Sequence, residues 1–199
     1  MTPIPADFLS RLAGHVAPAV REPFPERRAA VAAILREGSA GPEVLLMRRI
    51  EHEADPWSGH VSFPGGNVDA SDATLLDTAM RETREEVALD LARDARLVCR
   101  LASLEAVGRR LGFEMDITPF VFRLEAEVTP VAGAEAQAVF WLPLLAAARG
   151  ELDGQYRWND GAVTKLLPCW NFGGHTVWGM THRMLSSLLV AGGVSRPAT

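Results

Sequence analysis

The chain has 199 residues, enough for one domain with a full hydrophobic core. Hydrophobic residues make up 48% of it and charged residues 23%, which is close to ordinary globular usage. With 20 basic and 25 acidic residues the formal charge is -5, so the sequence lacks the basic excess of a general nucleic-acid binder. We therefore predict no nucleic-acid partner.

Neither the cysteines nor the apolar segments indicate a secreted or membrane protein. Cys99 and Cys169 lie far apart and form no Cys-x-x-Cys pair, which argues against a disulfide framework and a zinc site. The N-terminal segment contains proline, aspartate and arginine, unlike a signal peptide. The longest apolar stretch is interrupted by Pro143 and falls short of the ~20 residues of a membrane span. We expect a soluble cytoplasmic protein without a membrane partner.

The N-terminal part predicts a short helix followed by an arm. Phe8, Leu9 and Leu12 stand at helical spacing within residues 5–12. The proline-rich residues 17–25 then have the composition of a loop or arm.

A β-hairpin and a long loop are predicted next. The apolar runs at residues 29–35 and 44–47 have the length of strands and flank a turn at 38–42. Residues 51–71 are irregular and rich in glycine, proline and aspartate. A loop of this length in a compact domain is usually functional.

Residues 73–88 predict the clearest helix of the chain, with Ser71 or Asp72 as its N-cap. One inward stripe at helical spacing consists of Leu76, Ala79, Met80, Thr83 and Val87.

The C-terminal half alternates strands and helices irregularly. The predicted strands are residues 97–107, 113–122, 136–142, 155–158 and 163–167, the last two forming a hairpin around Asn159, Asp160 and Gly161. The predicted helices are residues 144–149 and 178–189, the second with Met180, Met184, Leu185 and Leu188 inward. This order predicts an α/β protein with a mixed sheet between helices rather than a regular βαβ series.

The candidate metal-binding residues lie on the helix predicted at residues 73–88. Glu82, Glu85 and Glu86 crowd one face of it, and Arg81 can pair with Glu85 one turn away. Clustered carboxylates suit Mg²⁺ or Mn²⁺, which take carboxylate, phosphate and water oxygens. A solvated acidic face without any metal is the simpler alternative, since such repulsion costs only ~0.2–0.5 kcal/mol.

A glycine loop before the helix favours the metal site over that alternative. Gly65 and Gly66 follow Pro64 and allow close approach of a ligand to the backbone. The loop and the acidic helix together resemble the Nudix box, G-x5-E-x7-R-E-U-x-E-E-x-G-U, where U is a bulky aliphatic residue. Gly66 matches the first glycine. Arg81 and Glu82 match the R-E pair of the pattern, and Glu85 and Glu86 match its E-E pair.

Four positions depart from the general pattern. Asp72 replaces the first glutamate, one extra residue separates it from Arg81, Thr83 replaces the aliphatic residue, and Ala88 replaces the late glycine. None of these departures removes a carboxylate of the acidic cluster.

More of the chain resembles the coenzyme A pyrophosphatase branch of this family, in which the aspartate and the extra residue also occur. The matching segments are residues 45–49, Gly59, 63–66, 117–120, Glu135, 140–144 and 177–181. Differences lie at Asp55, where the branch has arginine, at Met47, where it has threonine, and in the length of residues 55–60.

The resemblance implies a Nudix-type α/β/α sandwich and hydrolysis of a diphosphate linkage. It makes Glu82, Glu85 and Glu86 ligands of Mg²⁺ or Mn²⁺, oriented by Arg81. The candidates for the general base are Glu86, Glu82 and Glu135, in that order; Glu135 is equally well interpreted as an exposed loop acid. The implied organisation is an N-terminal helix and Pro-rich arm at residues 1–27, the Nudix domain at 28–192, and a tail at 193–199.

Substrate contacts are expected from the glycine loop, from arginines and from one aromatic ring. Candidates for phosphate binding are Arg48, Arg49, Arg109 and Arg110, at least two of which are better explained as solvated surface charges. Gly65 and Gly66 would admit the substrate, and Trp57 in the long loop would stack on a base. His60 is a further candidate for substrate contact, whereas His175 and His182 are interpreted as structural.

The leading hypothesis is hydrolysis of coenzyme A or its derivatives at the diphosphate, by an enzyme for which the family resemblance suggests a homodimer. The same chemistry on ADP-ribose, a nucleotide sugar or a nucleoside triphosphate is the enzymatic alternative. A ligand-binding regulatory protein on the same fold is the non-enzymatic one.

Overall fold

A computed structural model describes residues 4–22, 25, 27–51, 59–107, 114–159 and 164–195 of the chain. The predicted turn at Asp160 and Gly161 lies outside these residues. Within the described part, no helix is long and apolar enough to cross a membrane.

The helices and strands are numbered in chain order. The helices are α1 (Phe8–Ala13), α2 (Leu75–Val87), α3 (Leu91–Asp94), α4 (Leu144–Ala148) and α5 (Gly179–Ala191). The strands are β1 (Arg27–Gly38), β2 (Gly41–Arg49), β3 (Val61–Ser62), β4 (Gly65–Asn67), β5 (Ala95–Arg100), β6 (Leu104–Val107), β7 (Glu114–Leu124), β8 (Ala136–Pro143), β9 (Asp153–Asn159), β10 (Thr164–Phe172) and β11 (His175–Trp178).

The main sheet is mixed, and β1 is its centre. Among the described residues its order is β3-β2-β1-β7-β5, with β4 also paired to β1, β6 to β7 and β8 to β2. β1 runs parallel to β7 but antiparallel to β2, which confirms the predicted hairpin. Both faces of β1 are covered, and this explains why its buried run is continuously apolar rather than alternating.

Each face of the sheet packs on its own helical layer. One core contains Ala30, Ala32 and Ile34 of β1 with Ala79 and Val87 of α2. The opposite core contains Val31, Ala33 and Leu35 of β1 with Met184, Leu185 and Leu188 of α5. Because successive strand residues face opposite sides, β1 contributes alternate residues to the two cores. The predicted α/β/α sandwich is confirmed.

Helix α2 begins later than predicted. Thr74, rather than Ser71 or Asp72, is the N-cap: it accepts from the backbone N–H of Asp77, whose carboxylate accepts from the Thr74 N–H in return. Asp72 is engaged elsewhere, by Thr78 and Arg81. The helix ends at Ala88, which adopts the left-handed φ of 56°. Glycine suits this conformation best, and the family pattern has glycine at this position.

The strand predicted at residues 97–107 is wrong as one element, because it is divided into β5 and β6. Both pair with β7, but the ladder is interrupted between Arg100 and Leu104. Pro119 of β7 lies opposite the gap and accepts from the N–H of Leu101. Proline has no N–H to continue the ladder on that side, so the pairing breaks there.

A second, three-stranded sheet, β11-β10-β9, was not predicted as a separate unit. Its strands β9 and β10 form the expected antiparallel pair. β11 was missed because residues 175–178 follow the turn at Gly173 and Gly174 and are too short for a clear pattern. The closing helix therefore begins at Gly179, after β11, instead of at Trp178.

The N-terminal helix packs on the end of the domain. Phe8 and Leu12 are buried in the core that α5 shares. The described arm residues follow the sheet edge: Arg100 donates to the backbone oxygen of Pro18, and Arg21 pairs with the buried Asp116 at 2.9 Å.

The contact between α1 and α5 can be tested at two glycines that occupy equivalent helix C-caps, Gly192 and Gly14. A methyl group on Gly192 would overlap the ring of Phe8, whereas one on Gly14 meets nothing closer than 3.6 Å. We expect Gly192→Ala to lower the free energy of unfolding by about 1–3 kcal/mol through overpacking. Gly14→Ala, the matched control, should be neutral or stabilise by a few tenths. Urea unfolding measures both, and equal effects would contradict the packing described.

Candidate active site

The glycine loop is held close to the sheet. β4 pairs antiparallel with β1, opposite Ala29, Ala30 and Val31. Gly65 has a φ of +146°, and a Cβ there would overlap the backbone oxygen of Ala30. At Gly66 a Cβ would lie 2.6 Å from the carboxylate of Glu82. The two glycines thus let the backbone pass between the central strand and the acidic face of α2.

Glu86 is the buried acid of the site. It is 4% exposed, and its Oε2 accepts from the N–H of Gly65 at 2.8 Å. Arg49 approaches Oε1 at 3.9 Å. Burial raises the pKa of Glu86 to about 7; the Gly65 hydrogen bond opposes this shift, and the charge of Glu82 adds to it. The site therefore holds a carboxylate whose charge the protein compensates only in part.

Arg81 connects the acids of the helix to the loop before it. Its Nε and Nη2 donate to the two oxygens of Asp72, each at 2.9 Å. Nη1 donates to Glu82 at 2.9 Å and to Glu85 at 3.2 Å. The hydrogen bonds from Arg81 hold the pKa of Asp72 well below its usual range. The expected pair with Glu85 is present, and Asp72 is the partner that fixes the guanidinium from the other side.

The three predicted metal ligands lie at different depths. Glu82 is half-buried, and burial raises its pKa against the effect of Arg81. Glu85 is 55% exposed in its side chain, while Glu86 is buried. In the described ranges, no three acidic, histidine or cysteine side chains converge tightly enough to hold a metal ion as they stand. Arg81 draws Glu82 and Glu85 towards its guanidinium, whereas Gly65 holds Glu86.

The donor set nevertheless fits a hard divalent cation. Carboxylate oxygens are the ligands that Mg²⁺ and Mn²⁺ prefer. Burial is the main cause of the raised pKa values of Glu86 and Glu82, and a cation beside them would stabilise their ionised forms.

Glu135 is brought to the same site by a loop that docks on the end of α2. The N–H groups of Val131 and Gly133 donate to the backbone oxygens of Val87 and Glu86, at 3.0 and 2.8 Å. A Cβ on Gly133 would lie 2.5 Å from the oxygen of Glu85, so the close docking requires glycine. Glu135 is exposed, and its charge raises the pKa values of Glu82 and Glu86.

A large cavity of about 400 Å³ opens beside the glycine loop. Its size is typical of sites for small ligands, roughly 300–1,000 Å³. Arg49, Gly65 and Gly66 form the side next to the acids. The remaining wall is mostly apolar, with Val31, Phe63, Met115, Ile117, Trp158, Trp178, Met180 and Met184. Ser62 also lines it, and in the described part of the chain its buried hydroxyl has no hydrogen-bond partner.

Of the residues predicted to bind the substrate, some line the large cavity and others do not. Arg49, Gly65 and Gly66 line the large cavity. Arg48 points elsewhere and donates to the backbone oxygen of Gly59 at 3.3 Å and to Glu51 at 2.8 Å.

Trp57, Arg109 and Arg110 lie outside the described residues. Sequence reasoning missed Trp158, Met115 and Met184 as cavity residues, because they looked like ordinary core positions. Trp178 carried a signal, since it belongs to a segment that matches the coenzyme A branch.

The family profile for the NUDIX domain matches residues 26–166. The chain therefore belongs to the Nudix family. It is a Nudix hydrolase, an enzyme that acts on nucleotide-diphosphate substrates, and enzymes of this family generally use divalent metal ions.

Relatives extend the match over nearly the whole chain. A protein of Enterobacter sp. (strain 638), named uncharacterized Nudix hydrolase NudL, is 34% identical over 187 residues, covering 92% of this chain and 91% of the relative. A protein of Shigella flexneri with the same name is 32% identical and covers 95% of each chain.

Two solved structures share the fold. A Nudix hydrolase from Alicyclobacillus acidocaldarius superposes with a TM-score of 0.54 at 19% identity, covering 83% of this chain and 92% of that one. A C. elegans Ap4A hydrolase in a binary complex superposes with a TM-score of 0.51 at 22% identity, covering 62% of this chain and 84% of that one.

The raised pKa of Glu86 predicts how the metal-free protein depends on pH. At pH values below 4.5, the usual pKa of a glutamate, the Glu86 carboxyl is protonated in the folded and in the unfolded state. It therefore causes no loss of folding stability there. As the pH rises through about 7, the unfolded state releases the proton more readily and folding stability falls. We expect the free energy of unfolding of Glu86→Gln to be about 1–3 kcal/mol higher than that of the wild type at pH 8. At pH 5 the two values should be close.

Urea unfolding in the presence of a chelator measures this difference. Glu85→Gln is the matched control, since its exposed carboxylate should change stability by only about 0.5 kcal/mol at either pH. A wild type more stable than Glu86→Gln at pH 8 would contradict the buried, undercompensated carboxylate.

Proposed function

We propose that this enzyme hydrolyses the diphosphate of coenzyme A or of its derivatives, and that Glu82, Glu85 and Glu86 hold Mg²⁺ or Mn²⁺. The observation that carries the proposal is the position of the large, mostly apolar cavity directly beside the glycine loop and the acidic helix. The resemblance of residues 45–49, 63–66 and 177–181 to the coenzyme A branch supports it.

The chemistry of the large cavity favours a substrate with a long, weakly polar arm. Met115, Met180 and Met184 give it an adaptable surface, and Trp158 and Trp178 add flat aromatic faces. The pantetheine arm of coenzyme A is such a group. A sugar or a second ribose would bury several hydroxyl groups against this wall, and each one left without a partner costs on the order of 1–3 kcal/mol.

The carboxylates of α2 and the glycine loop would bind the diphosphate of the substrate. A divalent cation there would neutralise charge on the diphosphate and lower the pKa of a bound water. Arg81 keeps Glu82 and Glu85 on the loop side of α2, and Gly65 keeps Glu86 in place. Arg49 lines the cavity next to Glu86 and would bind a phosphate oxygen.

Three carboxylates remain candidates for accepting the proton of the attacking water. Glu86 and Glu82 are both proposed metal ligands, and a carboxylate bound to a cation is a weaker base. Glu135 is exposed at the edge of the same site, and the N–H of Ile50 donates to its backbone oxygen at 2.9 Å, which fixes the loop that carries it. Its exposure leaves the side chain accessible to a water.

The test is a substrate panel with the full-length enzyme and either Mg²⁺ or Mn²⁺. We expect coenzyme A to yield 4′-phosphopantetheine and adenosine 3′,5′-bisphosphate, with kcat/KM at least about tenfold above those for ADP-ribose, a nucleotide sugar and a nucleoside triphosphate. Glu82→Gln and Glu86→Gln should each lower kcat/KM roughly 100-fold or more, because each removes a proposed ligand. Glu135→Gln should lower kcat with little change in KM.

Glu151→Gln is the control for loss of an acid, because Glu151 pairs with Arg149 at 3.7 Å on the surface, away from the acidic site. Preference for another diphosphate would contradict the coenzyme A assignment alone. Full activity of Glu86→Gln would contradict the metal assignment. Turnover of no diphosphate would favour a regulatory, ligand-binding role.

A further inference from the structure

A second, smaller cavity of about 240 Å³ lies on the other side of His60 and Trp178, which line both cavities. We name it the Arg48–His175 cavity. Its side-chain lining includes Arg48, His60, Tyr156, His175, Thr176 and Trp178. The acidic helix does not contribute to it, and no acid is among its described lining residues. This cavity is cationic and polar, in contrast to the apolar wall of the large cavity.

Stacked rings hold the walls of this cavity in place. Trp178 stacks on Tyr156 with centroids 4.0 Å apart and meets the edge of His60 at 4.9 Å. His175 stacks on Phe140 at 4.3 Å with an interplanar angle of 5°. Rings packed in this way have little freedom to turn, so the donors are oriented before a ligand arrives.

The two neighbouring arginines at the end of β2 line different cavities. Between Arg48 and Arg49 the pairing of β2 with β8 is irregular, so the two side chains are not held in one row. Arg49 approaches Glu86 and lines the large cavity, whereas Arg48 lines the smaller cavity with His175 of β11. The arginine pair thus serves two separate cavities rather than one phosphate.

The electrostatics of the cavity favour an anion. Burial lowers the pKa of His175, and the nearby charge of Arg48 lowers it further, so a neutral imidazole is favoured beside the charged guanidinium. An anion between them would pair with Arg48 and accept a hydrogen bond from His175. Arg48 is paired with Glu51, but that acid is 71% exposed in its side chain, and such surface pairs contribute only about 0–1 kcal/mol. A phosphate can therefore replace Glu51 as the partner of Arg48.

The donor set suits a phosphate monoester better than a carboxylate. Displacement of Glu51 releases the Nη2 donors of Arg48, and the imidazole of His175 and the Tyr156 hydroxyl line the cavity from other directions. Thr176 does not add one, because its hydroxyl already donates to Asn171 at 3.0 Å. Donors from several sides match the three terminal oxygens of a phosphate monoester.

We propose that the Arg48–His175 cavity is a binding site for a phosphate monoester that the substrate carries apart from its diphosphate. This inference rests on the proposed function, since coenzyme A bears such a group on its ribose and dephospho-coenzyme A does not. The shared wall of His60 and Trp178 lets one bent substrate reach both cavities. The site selects substrates by their third phosphate, while the acidic helix acts on the diphosphate.

The test compares kcat/KM for coenzyme A and dephospho-coenzyme A in the full-length enzyme with Mg²⁺ or Mn²⁺. We expect the wild type to prefer coenzyme A by about tenfold or more, the gain typical of one or two charge-assisted hydrogen bonds. In His175→Gln and Arg48→Gln this ratio should fall to about 1–3. The matched controls His15→Gln and Arg149→Gln lie outside the cavity and should keep the wild-type ratio.

The ratio is measured within one protein preparation, so partial unfolding of a variant does not change it. A wild type that hydrolyses both substrates with equal kcat/KM would overturn the proposal and leave the proposed function intact. A preference that both cavity variants retain would also overturn it.

The phosphate bound in this cavity could belong to the substrate or be free inorganic phosphate, and a titration with inorganic phosphate distinguishes the two. In the metal-free protein it should shift the imidazole NMR signals of His175 in the wild type and not in Arg48→Gln. Such a shift without any preference for coenzyme A would make this a site for free phosphate and overturn the substrate assignment. If neither coenzyme is hydrolysed, the proposed function fails, and absence of the phosphate shift would then refute the site itself.

Discussion

The hydrogen bond from Gly65 to Glu86 is the interaction on which the active site depends. It joins the glycine loop, which lies against the central strand β1, to the last turn of α2. It also keeps a carboxylate buried that the protein alone does not neutralise. A buried charge without full compensation destabilises the fold, and proteins tolerate this where the charge is needed. The simplest account is that a cation completes the site.

The surrounding elements position the groups next to that bond. The φ of Gly65 and the narrow space at Gly66 allow the loop to approach both β1 and Glu82. Asp72 and Arg81 brace the acidic face from the loop side, and the docked loop at Gly133 closes the C-terminal end of α2. Most of these contacts join different secondary-structure elements, so the site exists only in the folded domain.

The sequence predicted well what depends on local pattern. The apolar stripe located α2, continuous apolar runs located the β1–β2 hairpin, and the turn signal at residues 159–161 located the β9–β10 pair. The spacing of Glu82, Glu85 and Glu86 was enough to define the acidic face, because residues three and four apart lie on the same side of a helix.

What depends on tertiary partners was not predictable. The helix start moved to Thr74 because Asp72 is held by Arg81, a contact between residues on different elements. The break between β5 and β6 is caused by Pro119 on a neighbouring strand. The large cavity was invisible because Met115, Trp158 and Met184 come from three elements and resemble core residues one at a time. Arg48 and Arg49 are equivalent in sequence, yet in the fold they line different cavities.

Recognition is thus divided between two cavities that share His60 and Trp178, an apolar one next to the glycine loop and a cationic one next to His175. We propose that the carboxylates of α2 hold a divalent cation against the glycine loop. Anomalous diffraction at the manganese edge from crystals soaked in Mn²⁺ tests it most directly. We expect a peak within about 2.0–2.6 Å of carboxylate oxygens of Glu82 and Glu86. A map with no peak at α2, or with its peaks on other residues, would contradict it.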